Sequence, residues 1–93
     1  VYKMFDLAQK KEELQKLQEK LTVLKSALFD AEHRVGNMTS NDVYQMLRTQ
    51  KINAAQAEEM EKFIAVKRDY PELIRSTEQW CKQLNREIQD LED

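Results

Sequence analysis

The sequence predicts an all-α fold: a long antiparallel helical hairpin of coiled-coil type whose second arm is bent near Pro71. Three observations predict it. Leu7, Leu14, Leu21, Leu28 and Val35 stand seven apart, with Leu17, Leu24 and Ala31 at the complementary offset, which is a heptad seam. Only one Gly and one Pro interrupt 93 residues dominated by Ala, Leu, Met, Gln, Glu and Lys. Seam spacing then returns in the last third, through Tyr70, Ile74, Thr77, Cys81, Leu84, Ile88 and Leu91.

The first helix is expected over residues 1–35. Lys10 occupies a seam position near its start, where only the alkyl stem can pack. Glu12 and Lys16 have the spacing of a favourable surface pair on a helix. Gly36 follows the last seam residue, where it can take the left-handed conformation that closes a helix. Thr39 and Asp42 have capping-box spacing, so a second helix should begin near Asn41 after a turn of about four residues. A connection that short folds the next helix back beside the first.

The second segment is expected over 41–68, with Val43, Leu47, Gln50, Ala54, Ala57 and Ile64 on one stripe and Met46, Met60 and Phe63 at its edge. The third is expected over 70–92. Asp69 can cap it, Glu72 stands three residues on, and Pro71 falls in the first turn, where a missing amide costs little. Residues 63–74 contain no Gly and no polar turn cluster, so a bend at Pro71 is expected in place of a reversal.

A bent arm over 41–92 is about 78 Å long, against about 53 Å for the first helix, at the helical rise per residue. Aligned from the tip, Cys81, Leu84, Ile88 and Leu91 project past the first helix without an intrachain partner. They are the expected oligomer seam. Tyr44, Leu73 and Trp80 are the expected partner contacts, because aromatic side chains bury large rigid surfaces at interfaces.

Composition narrows the function. Residues 1–35 hold 7 basic and 6 acidic side chains, 41–68 hold 5 and 4, and 69–93 hold 3 and 7. With no basic stripe, nucleic acid is not an expected partner. No apolar run approaches the roughly 20 residues that span a bilayer, so membrane insertion is not expected. Cys81 is the only cysteine, which excludes an internal disulfide and points to a reducing compartment, the cytoplasm by default. Val1 opens directly into helical pattern, as in a piece of a longer protein.

Chemistry is sparse. His33 is the only histidine, and a metal site needs three or four converging ligands. Cys81 sits on the seam, where burial makes a thiol inert. Glu58, Glu59 and Glu61 spread around a helix, which does not make a paired acid and base. No phosphate loop, calcium loop or zinc spacing occurs. A single non-enzymatic domain without cofactors is therefore expected: a scaffold or oligomerisation module that forms a homodimer or takes a helical partner from a larger complex. The alternative is a monomeric three-helix recognition module that binds a partner helix.

Overall fold

A computed structural model describes residues 2–93, and its described residues are helical outside two short connections and the last residue, Asp93. Helix α1 spans Tyr2–Val35, α2 spans Ser40–Arg48 and α3 spans Ala54–Glu92. The expected start of the first helix at Val1 lies outside the described residues. The chain divides into two compact units: one joins α1 up to Leu24 with α3 from Glu72 onward, and the other is Lys25–Pro71.

The turn after α1 forms as its residues dictate. Gly36 has φ of 53°, and its amide donates to the Glu32 carbonyl at 3.0 Å. Nothing lies within 4 Å of where a Cβ would stand, so backbone conformation, not crowding, favours glycine there. The Lys67 ammonium donates to the Gly36 carbonyl and brings a positive charge to the C-terminal end of α1. Thr39 caps α2: its hydroxyl accepts from the Asp42 amide at 3.2 Å, and the Asp42 carboxylate accepts from the Thr39 amide at 2.9 Å.

The expected second segment, 41–68, is not one helix. It breaks at residues 49–53. Gln50 adopts φ of 63°, Lys51 donates to the Met46 carbonyl at 2.9 Å and Gln50 to the Leu47 carbonyl at 3.1 Å. Those two bonds form a Schellman closure with glutamine where glycine is the usual residue. Asn53 and Gln56 then cap α3 reciprocally, at 2.8 and 2.9 Å.

The expected helix boundary at Asp69 is also absent, because α3 continues through Pro71. Asp69 does not cap; its carboxylate pairs with Arg68 at 2.9 and 3.1 Å. The Lys67 carbonyl loses its usual amide partner opposite the proline ring. The helix nevertheless persists because its apolar register is unbroken. Met60, Phe63, Lys67, Tyr70 and Ile74 alternate spacings of three and four, and the same rhythm runs on to Leu91, every position buried or half-buried.

In the unit containing residues 72–93, α1 and α3 run antiparallel. Lys10 reaches Glu87 at 3.2 Å, Lys11 reaches Glu92 at 2.9 Å, and the Trp80 indole donates to Glu13 at 3.3 Å. In this register Leu14 lies level with Leu84, Leu17 with Cys81, Leu21 with Thr77 and Leu24 with Ile74. Leu84 is 2 % exposed, and Cys81 and Ile88 are buried with it. Thr77 is buried too, its hydroxyl donating to the Leu73 carbonyl at 2.7 Å, so it carries no unpaired polar atom into the seam.

The unit of residues 25–71 is a three-helix cluster. Ala31 at 0 %, Val35, Val43 at 2 % and Ala57 are its buried residues. The first turns of α3 extend beyond the end of α1, and α2 lies against them, tied by Ser40 Oγ to Glu61 at 2.9 Å. Small side chains at Ala31 and Ala57 leave room for Met46, Met60 and Phe63, which are half-buried. Arg34 stacks its guanidinium over Phe63 at 5.2 Å while also pairing with Asp30 at 3.2 Å.

Candidate functional site

The residues expected to form a projecting oligomer seam do not project. Cys81, Leu84 and Ile88 are buried and Leu91 is half-buried within the same chain, facing α1 up to Leu24. The cause is chain length. Helix α2 and the connection at 49–53 consume the residues that an uninterrupted second arm would have added beyond α1. Within the unit of residues 25–71, the start of α3 is the part that extends beyond the end of α1.

The three residues expected as partner contacts remain on the surface. Trp80 is 51 % exposed, Leu73 45 % and Tyr44 60 %. Leu73 and Trp80 are seven apart on α3 and flank the seam on one side, where the Glu13 carboxylate holds the indole nitrogen. Val23 is exposed on α1 and falls at the level of Leu73 on that same flank, with Lys16 and Lys20 beside it. The sequence marked Trp80 as an aromatic. It gave no comparable signal for Val23, whose placement depends on the pairing register of two distant segments.

Tyr44 belongs to the other unit. It lies on α2 beside Leu47, which is also exposed, while Val43 between the helices is buried. An open hollow near them is lined by Val35, Asn37, Met38, Asp42, Gln45 and Met46. Phe29 is exposed on α1 and stacks on His33 at 4.2 Å between ring centroids.

Among the described residues, titratable side chains do not converge into a reactive cluster. His33 is exposed, with Nδ1 3.0 Å from the Phe29 carbonyl. Glu58 pairs with Lys62 at 3.8 Å and Glu61 accepts from Ser40, so these two carboxylates make separate surface contacts. Among the described residues no group of three or more His, Cys, Asp or Glu side chains could hold a metal ion. Among them, too, no helix is long and apolar enough to cross a membrane. The Asp69 carboxyl is held below the usual aspartate range by its hydrogen bond from Arg68, and the Arg68 guanidinium is held above its own.

Helices closed by a heptad-spaced seam, with apolar side chains left on their flanks, define an all-helical protein whose surface features suit contact with other macromolecules. Compared with known proteins, the chain matches no family model, no curated protein and no solved structure.

Proposed function

We propose that this chain is a non-enzymatic interaction module, a coiled-coil hairpin that self-associates and so assembles a longer protein or complex. The observation that carries this reading is surface. The chain exposes 7185 Å² at 11.1 kDa, where a folded monomer of that mass exposes about 5,700 Å². The surplus, about 1,500 Å², exceeds the roughly 800 Å² that each partner contributes to an ordinary stable interface. Large apolar residues occupy part of it, including Trp80, Leu73, Val23 and Phe29.

The reading includes knobs-into-holes pairing of α1 with α3, supported by the three-four spacing of buried positions on both helices. It includes a bend of α3 at Pro71, supported by the missing amide there. The lone cysteine supports a reducing compartment such as the cytoplasm. Sedimentation equilibrium from low to high micromolar concentration tests the central claim. A concentration-dependent dimer is expected, and a strictly monomeric helical species of 11.1 kDa would overturn it.

A second reading has its own support. The three-helix cluster exposes Tyr44 and Leu47 side by side on α2, and a partner helix could dock there with the chain monomeric. Tyr44→Ala separates the two. It leaves self-association unchanged under the first reading and abolishes partner capture under the second.

A further inference from the structure

We infer that two copies join by exchange: the connection at residues 49–53 straightens, α2 and α3 merge into one helix, and α1 and α2 of each copy pack on the second copy's α3. This inference rests on the self-association reading and adds the way the copies join. What covers each surface is already on view in the single chain, because exchange remakes between two chains the contacts that one chain makes within itself. Lys10 then meets the second copy's Glu87, and Ser40 the second copy's Glu61, as each meets its own in the closed chain.

The connection is built to open. Gln50 holds φ of 63° without being glycine, and a short strained hinge favours exchange. Residues 49–53 read Thr, Gln, Lys, Ile, Asn, with no Gly or Pro to stop a helix from running through. Straightening gives up the closing bonds to the Leu47 and Met46 carbonyls and the Asn53–Gln56 cap, and ordinary helical hydrogen bonds replace them. The side-chain pattern already runs through: Val43, Leu47, Gln50, Ala54 and Ala57 alternate spacings of four and three, one face of an unbroken helix. In the closed chain the break scatters that face, leaving Leu47 39 % exposed and Ala54 exposed. Register supplies the symmetry. The Ser40–Glu61 bond sets the start of α2 level with the second turn of α3, so the two run antiparallel. Carried on, that register sets Leu47 level with the second copy's Ala54 and puts a two-fold axis between Gln50 and Lys51, inside the straightened connection.

Two measurements test this. Lys10→Cys and Glu87→Cys, placed together in a Cys81→Ala background and joined by a short bismaleimide, should give a covalent dimer, because exchange puts the pair on different chains. Gln50→Gly relieves the closed connection and disfavours the straightened one. It should keep its helicity by circular dichroism and weaken dimerisation by at least about tenfold, since two connections straighten per dimer. A monomer at every concentration in the unchanged chain would overturn both self-association and exchange. A dimer in which every bismaleimide bridge lies within one chain, with affinity unchanged by Gln50→Gly, would overturn exchange alone and leave self-association standing.

Discussion

Lys10 and Glu87 meet at 3.2 Å across 77 residues of sequence, and Lys10 does so from a seam position otherwise held by aliphatic residues. The ammonium is drawn to the rim while its stem stays against the seam. One polar residue at a seam position specifies register at some cost in stability. Lys10→Leu should therefore raise stability by about 1 kcal/mol, by completing an apolar layer level with Ile88. Glu87→Ala should cost less than about 1 kcal/mol, as partly exposed ion pairs do. Urea unfolding of both variants checks the contrast. Equal destabilisation by the two would mean that the ion pair, not the apolar layer, dominates at this level.

Leu84 carries the opposite expectation. At 2 % exposure it is enclosed by its own chain, so Leu84→Ala should cost about 2–5 kcal/mol. The loss should appear in thermal melts at every protein concentration. If melting changed only where the chain associates, Leu84 would be an intermolecular residue after all.

Gly36 and Gln50 both hold left-handed backbone, at φ of 53° and 63°, and predict shifts of opposite sign. Gly36→Ala should destabilise by about 1 kcal/mol, the cost of placing a Cβ in that conformation. Gln50→Gly should stabilise by up to about 1 kcal/mol through relief of the same strain. Differential scanning calorimetry of the pair is the check.

Pro71 removes one backbone hydrogen bond from the middle of α3. Pro71→Ala should raise stability by about 1–3 kcal/mol and slow amide exchange in the adjoining turn. Unchanged exchange around residues 67–75 would show that the Lys67 carbonyl is already satisfied some other way.

Asp69 should lend a pH dependence of known sign. Its folded pKa is depressed by the Arg68 hydrogen bond. The resulting stability is present above the ordinary aspartate value of about 3.9 and is lost as pH falls through the lower folded value. Asp69→Asn should be slightly less stable than the parent at neutral pH, and the two should converge in acid. Both partners are exposed, so the effect should also shrink with added salt.

Sequence alone determined the local features. Heptad spacing marked the buried face of α1 and of the last third of α3, because a helix places every third and fourth residue on one side regardless of its partner. The Gly36 closure and the Thr39–Asp42 cap were likewise legible, since each is made within a few residues. The Asn53–Gln56 cap carried an equally local signal, but nothing nearby announced the break before it: Gln50 takes a conformation that glycine usually signals. What only the tertiary structure decided was register. The fate of Cys81, Leu84 and Ile88 depended on how much chain α2 and the 49–53 connection absorb, and the register that buries them is marked by ion pairs such as Lys10–Glu87 between residues far apart in sequence. The continuity of α3 through Pro71 was decided in the same way, because a seam buried on both sides of the proline outweighs the hydrogen bond it removes.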